Sequence, residues 1–217
     1  MWCLRSSLSK QSYKSGDKMK EFNIVVTGIG GQGSLTLAMI IAEAAMRQGY
    51  DVKTTELHGL AQRGGTIPCH VRFGDKIYSP LVLEGEANLI IGLEPIEALR
   101  ACYYGSKKHK TVFIIDTHRI LPLTVSVLGE RYPSIKEIEK DLKPFSTKVI
   151  TPSASSIVYK ETGDVLATNI FLLGYAISKK LIPLKEKYIL EGIEEIAPKK
   201  YFETNKKIFE LGTKHKS

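Results

Sequence analysis

Cysteine is scarce in this chain of 217 residues: Cys3, Cys69 and Cys102 stand far apart, and none belongs to a C-x-x-C pair. Three isolated thiols build no disulfide framework and cannot supply the four thiolates an iron–sulfur cluster ordinarily takes. A reducing, cytoplasmic compartment is the simplest expectation. Long apolar runs are missing too. The longest, around residues 170–177, falls well short of the roughly 18 residues a membrane span requires, so no membrane partner is expected. The opening "MWCLRSSLSKQSYKSGDK" lacks the apolar core of a signal peptide. With Met19 just before the first strand, residues 1–18 read as a disordered leader or an over-extended start, and residues 19–217 as a single α/β domain.

A basic body is absent as well, despite a net charge of +8. Residues 1–18 contribute +3 and residues 199–217 contribute +4, which leaves about +1 for everything between. Charge confined to the two ends offers no phosphate-tracking face, so no nucleic-acid partner is expected. His70, His109, His118 and His215 are scattered and form no recognisable acid–base set, while Cys69 and Cys102 read as small buried apolar residues.

What is present is an α/β pattern. "FNIVVTG" (22–28) is a buried strand ending at glycine, "SLTLAMIIAEAAMRQG" (34–49) a helix, and "DVKTTE" (51–56) a second strand, which together predict a parallel, right-handed βαβ unit. "PCHVRFGDKIYSP" (68–80) carries two alternating runs about Gly74-Asp75 and predicts a β-hairpin. Strands over 87–93, 111–116 and 148–153 alternate with helices over 94–104 and "SIKEIEKDLK". A helix within 164–181 is apolar on nearly every face, and two amphipathic helices near 184–196 and 199–211 follow. The fold class is α/β: a Rossmann-like, doubly wound, mostly parallel sheet with a β-hairpin excursion and C-terminal helices.

Two segments carry chemistry. "GIGGQG" matches G-x-G-x-x-G through Gly28, Gly30 and Gly33, between a strand and a helix. There Gly28, Gly30, Gly31, Gln32 and Gly33 form a candidate phosphate site at the positive end of a helix. Glu56 falls where an acid would grip a ribose. The same glycines serve equally well to pack the helix closely on the sheet. "HGLAQRGGT" (58–66) is polar and glycine-rich. Arg63 offers a fixed fork of donors suited to a carboxylate or phosphate, and Gly64-Gly65 permits close approach by another chain. A solvated surface loop is the plain alternative. His58, Gln62, Arg63, Gly64 and Gly65 are the candidate partner interface, with Arg63 as a possible substrate or partner anion contact.

"GIGGQG", "HGLAQRGG", "YSPL", "EGEA" and "GLEPIEALR", in that order, resemble the beta-subunit family of indolepyruvate ferredoxin oxidoreductase, the gamma-type domain of the 2-oxoacid:ferredoxin oxidoreductases. The similarity runs from about Phe22 to Leu211. The "AQRGG" form resembles the indolepyruvate branch, and Leu60 stands where methionine is common in the family it resembles. The resemblance implies oxidative decarboxylation of an arylpyruvate to an acyl-CoA with reduction of ferredoxin, and a chain inactive alone. Thiamine diphosphate, magnesium and 4Fe–4S clusters are expected on an alpha subunit, with coenzyme A as co-substrate. "GDK" (74–76) and "GDV" (163–165) lack the paired asparagines that would hold a diphosphate-bound magnesium, and no metal site is expected here. A gamma subunit serving pyruvate, 2-oxoglutarate or a branched-chain 2-oxoacid, and a free-standing dinucleotide-binding protein, are the alternatives.

Overall fold

The computed structural model describes residues 19–57, 65–121 and 131–215. Six strands form one sheet: β1 (Phe22–Thr27), β2 (Asp51–Glu56), β3 (Cys69–Gly74), β4 (Leu89–Gly92), β5 (Val112–Ile115) and β6 (Lys148–Ile150), in the order β2-β3-β1-β4-β5-β6. The pairs β1–β4, β4–β5 and β5–β6 are parallel. Seven α-helices accompany the strands among the described residues: α1 (Ser34–Arg47), α2 (Pro95–Arg100), α3 (Ile135–Leu142), α4 (Ala154–Thr162), α5 (Thr168–Ser178), α6 (Glu186–Ile196) and α7 (Phe202–Lys214).

The central strands are apolar on both faces because helices cover both. Ile24, Val26, Leu89 and Ile91 join a core with α1 and α4 to α7, whereas Val25, Ile90 and Phe113 face α2 and α3. Such burial explains why "NIVV", "LIIG" and "VFII" read as continuous apolar runs. The two-residue period decides which core each side chain joins.

The predicted hairpin over 68–80 does not form. Only Cys69–Gly74 is a strand, and it runs antiparallel to both neighbours, with Phe22 opposite Phe73 and Glu56 opposite Cys69. Its hairpin partner is β2, and the connection spans residues 57–68, closed at its base by Leu57 N–H donating to Pro68 O (3.0 Å). β1 and β2 are therefore parallel to each other, as expected, but β3 lies between them. The cause lies in the alternation of β3. Cys69, Val71 and Phe73 enter the first core, which leaves His70 and Arg72 on the opposite face. Residues 77–82 cross that face as a cover. Arg72 donates to Asn23 Oδ1 (2.9 Å), to the carbonyls of Ser79 and Leu81 (both 3.0 Å) and to Glu21 Oε2 (2.8 Å). Ile77 N–H is taken by Asp51 Oδ2 at 2.8 Å. With the carbonyls of Ser79 and Leu81 turned toward Arg72, the chain after β3 does not pair as a strand.

α5 is buried almost throughout, as its composition predicts, and its cover is α7. A Cβ on Gly174 would lie 2.2 Å from Phe209 O, and one on Gly212 2.3 Å from Phe171 O, so the two backbones touch. α4 is a helix that the sequence reading left unassigned.

Candidate functional site

β1 and β4 are neighbours, and the chain proceeds from them to opposite sides of the sheet. Their C-terminal ends therefore flank the topological switch point, where open α/β sheets bind ligands. The glycine turn lies there, with Gly31 at φ 105° and Gly33 at φ 80°, a region open chiefly to glycine. Gly33 is the N-cap of α1, and no acidic residue occupies the first turn. The N–H groups of that turn have no intrahelical acceptor and carry the positive end of the helix dipole.

Part of the turn is already engaged by the protein. Residues 65–67 lie along it as an antiparallel strap: Gly30 N–H donates to Gly65 O (3.1 Å), Ile67 N–H to Gly28 O (3.0 Å), and Ile29 bridges Thr66. Gln32 spans the crevice itself. Its Oε1 accepts Ile29 N–H at 2.7 Å, and its Nε2 donates to Leu93 O at 3.0 Å. A Cβ on Gly28 would stand 2.9 Å from that Oε1, so glycine there admits the amide. Of the five turn residues singled out in the sequence, Gly31 alone faces open space, Gly33 lies against Asn169, Gly30 is tied to the 65–67 strap, and Gln32 closes the turn toward the end of β4.

Three cavities meet at Gly31. One of about 290 Å³ is lined by Gly33, Ser34, Thr36, Glu56 and Ile67. Ser34 Oγ, on a residue 4% exposed, has no hydrogen-bond partner among the described residues. Glu56 stands in the wall, able to accept from hydroxyls but opposed to a phosphate. A larger cavity of about 330 Å³ lies beyond Gly33 and Thr36, walled by Leu166, Ala197 and Tyr201. Asn169 joins that wall to the turn through Nδ2, which donates to Gly33 O (3.1 Å). The smallest, about 100 Å³, is lined by Gln32, Leu93, His118 and Ser155.

Two buried carboxylates shape the neighbouring strand ends. Asp116, at the end of β5, accepts Ser155 N–H (3.0 Å) and the Ser155 hydroxyl, and so caps α4 with an internal anion. Glu94, 1% exposed after β4, accepts Glu97 N–H (3.1 Å) and the Tyr132 hydroxyl. Burial pushes the Glu94 carboxyl up, against the opposing pull of those hydrogen bonds. Burial likewise drives the Cys69 thiol up to about 12, helped by the Glu56 charge, so it stays a protonated apolar filler. Cys102 is shifted the same way by burial. Among the described residues no group of three or more His, Cys, Asp or Glu side chains could hold a metal ion. No helix there is long and apolar enough to cross a membrane.

His58, Gln62, Arg63 and Gly64 lie outside the described residues. Gly65 is described, and its carbonyl ties the end of that segment to the glycine turn. The histidines named in the sequence remain dispersed: His70 lies under residues 77–82, His118 lines the smallest cavity, and His215 meets the rings of Phe171 and Tyr175. Sequence reasoning missed Asn169, Asp116 and Ser34. An asparagine inside "TNIFLLGYAI" and an acid closing "TVFIID" are local signals that could have marked the first two. Nothing in the sequence distinguishes Ser34 from an ordinary first-turn serine.

A family model described as pyruvate ferredoxin/flavodoxin oxidoreductase matches residues 23–215. An indolepyruvate oxidoreductase subunit IorB from Archaeoglobus fulgidus is 42% identical over 190 residues, 88% of this chain and 92% of the relative. The subunit of the same name from Pyrococcus horikoshii is 40% identical over 197 residues, 90% and 96% of the two chains. A common gamma subunit of pyruvate/ketoisovalerate oxidoreductases from Thermococcus kodakarensis is 26% identical, over 77% of this chain and 82% of the relative. Among solved structures, the pyruvate oxidoreductase subunit PORC of Thermotoga maritima superposes with TM-score 0.63 at 18% identity, covering 91% and 97%. A 2-oxoglutarate:ferredoxin oxidoreductase from Magnetococcus marinus gives 0.63 at 21% over 90% of this chain and 31% of its own. At such identities these two structures speak to fold alone.

Proposed function

The chain belongs to the pyruvate ferredoxin/flavodoxin oxidoreductase family, and from that premise we propose that it is the subunit without redox cofactors of an indolepyruvate:ferredoxin oxidoreductase. The observation that carries this reading is the 40–42% identity, spread over about nine-tenths of both chains, to subunits named for indolepyruvate. The common gamma subunit of pyruvate/ketoisovalerate enzymes is more distant at 26%, which favours an arylpyruvate over those acids. The assembled enzyme oxidatively decarboxylates the 2-oxoacid, forms the acyl-CoA and reduces ferredoxin.

Thiamine diphosphate, magnesium and 4Fe–4S clusters are assigned to an alpha subunit. The donor set of this chain supports that division, since the buried Cys69 thiol is held protonated and the buried Asp116 and Glu94 carboxylates are engaged by backbone N–H groups and hydroxyls. Thiamine diphosphate supplies a carbanion carrier when bound to the partner. This chain contributes binding and orientation. His58, Gln62, Arg63, Gly64 and Gly65 dock on the alpha subunit, with Arg63 pairing a partner carboxylate or steering the substrate anion. Gly31, Gly33 and the first turn of α1 receive a phosphate of coenzyme A. A free-standing dinucleotide enzyme is disfavoured by the Gln32 amide in the crevice and the Gly65 strap on Gly30.

Co-purification from the native cell tests the proposal. A large companion carrying thiamine diphosphate and clusters should accompany the chain, and the pair should reduce a viologen dye with indolepyruvate and coenzyme A. The chain alone should not. Turnover of a 2-oxoacid by the isolated chain, or purification without a thiamine-bearing companion, overturns it.

A further inference from the structure

Two side-chain amides hold the glycine turn. Gln32 fastens it to the end of β4 through Leu93 O. Asn169, 136 residues beyond Gly33, fastens it to α5 by donating from Nδ2 to Gly33 O. In a helix buried on nearly every side an asparagine is unfavourable unless both ends of its amide are engaged. Both are. Asn169 is 4% exposed, and its Oδ1 accepts Ile170 N–H at 2.8 Å. Turning the amide over would set oxygen against oxygen and N–H against N–H, so its two partners fix which end faces Gly33.

The contact with Ile170 does not by itself call for asparagine. Serine, threonine and aspartate accept a first-turn N–H as readily. Among these side chains only asparagine has a carbonyl for its own helix and a separate N–H donor to turn on Gly33. Glycine at 33 answers to the same contact. A Cβ there would lie 2.5 Å from Asn169 Nδ2, on a residue whose φ of 80° already favours glycine.

Gly33 O also takes Leu37 N–H at 2.9 Å, at the start of α1. A planar trans peptide points its C=O and its N–H in opposite directions, so an oxygen held by two donors fixes the direction of the next N–H. That N–H belongs to Ser34, the first residue of α1, where no intrahelical acceptor exists. α5 is a firm anchor, because its backbone touches that of α7 at Gly174 and Gly212. We infer that Asn169 is a positioning residue of the anion site: it holds the Gly33–Ser34 peptide so that Ser34 N–H stays directed at the phosphate the turn receives. The inference rests on the reading that this phosphate is one of coenzyme A. Its effect falls on coenzyme A and spares the 2-oxoacid, which reacts on the partner's thiamine diphosphate.

Steady-state kinetics of the complex with its alpha subunit, with a viologen dye as acceptor, separate this role from a merely structural one. Asn169→Ser keeps an acceptor for Ile170 N–H and loses the reach to Gly33. It should raise the KM for coenzyme A about tenfold, the scale of one hydrogen bond, and leave kcat and the KM for indolepyruvate in place. Asn169→Asp keeps the shape and sets an acceptor against Gly33 O. Its KM for coenzyme A, relative to wild type at each pH, should be highest in alkaline buffer and fall as the carboxyl regains a proton to donate. A third readout needs no variant. In the isotope-labelled wild-type chain, coenzyme A should shift the Ser34 amide and Asn169 side-chain amide resonances along one binding curve. A moving Ser34 amide beside an unmoved Asn169 amide overturns the inference alone. So does an unchanged coenzyme A KM in both variants, or a loss spread equally over coenzyme A, indolepyruvate and kcat. A Ser34 amide that coenzyme A never moves, while the complex still turns over, overturns the coenzyme reading of the turn and this inference with it.

Discussion

His70 shows how a single side chain can carry a pH limit. It is wholly buried, its Nδ1 accepts Val82 N–H at 3.0 Å, and its ring meets Tyr104 edge-to-face at 4.8 Å. Burial, with the Arg72 charge beside it, lowers its pKa from 6.5 to about 4. A proton on Nδ1 would face the donor on Val82. Because the folded value lies below the free one, the stabilisation is complete above about pH 6.5 and is lost as the pH falls toward 4. The span corresponds to about 3 kcal/mol. Urea unfolding across that window should show the loss, and His70→Gln should remove this part of it. Gln32 sets a second expectation. Truncation to alanine leaves Ile29 N–H and Leu93 O facing an emptied crevice, and should cost about 1–3 kcal/mol in chemical denaturation. If the amide also keeps dinucleotides out, Gln32→Ala is the variant in which NAD(H) would first raise the melting temperature; an unchanged melt returns exclusion to the Gly65 strap alone.

At the scale of elements, the sequence disclosed periodicity well and pairing poorly. Apolar runs located the buried strands, and the uniform hydrophobicity of 168–178 announced a helix covered on all sides. The order of β3 was hidden, because "CHVRFG" alternates as any half-polar strand does. What distinguishes it is long-range: Arg72 reaching four acceptors on residues 21, 23, 79 and 81. The Gly-Asp pair at 74–75 has the composition of a hairpin turn, yet Asp75 N–H is taken by Met19 O, at 2.9 Å, in place of a following strand. The glycines of α5 and α7 were likewise mute in sequence. Their role is a backbone contact between helices 38 residues apart in the chain at Gly174 and Gly212. Gly174→Ala should therefore destabilise by at least about 2 kcal/mol, as overpacking against fixed backbone does, whereas Gly163→Ala, with nothing within 4 Å, should lose only the preference for its φ of 76°. Comparable losses at both positions would mean that the helices separate readily.

For the molecule as a whole, the candidate site was legible in its parts and illegible in its closure. G-x-G-x-x-G after a strand marked the switch point, and residues 58–66 were marked by their polar, glycine-rich composition. That the second would fasten the first, Gly65 to Gly30, follows only from β3 returning alongside β1. The proposed docking role of Arg63 belongs at this scale. Arg63→Ala should leave the melting temperature of the isolated chain within a degree or so, since surface changes are typically worth about 0.5 kcal/mol or less. It should lower partner affinity or arylpyruvate turnover at least about tenfold, on the order of one charge-assisted bidentate contact. Wild-type assembly and turnover would remove Arg63 from the interface.

The position of β3 between two earlier strands has a consequence for how the chain reaches its native state. Neither β1 nor β2 has a neighbour in the sheet until residues 69–74 arrive, so strand pairing cannot begin before β3 is made. Pairing Asn23 with Arg72 closes a loop of nearly fifty residues, a long-range event of the kind that slows folding. Nascent chains halted before that point should expose the apolar faces of β1 and α1 to chaperones, and release should coincide with emergence of β3.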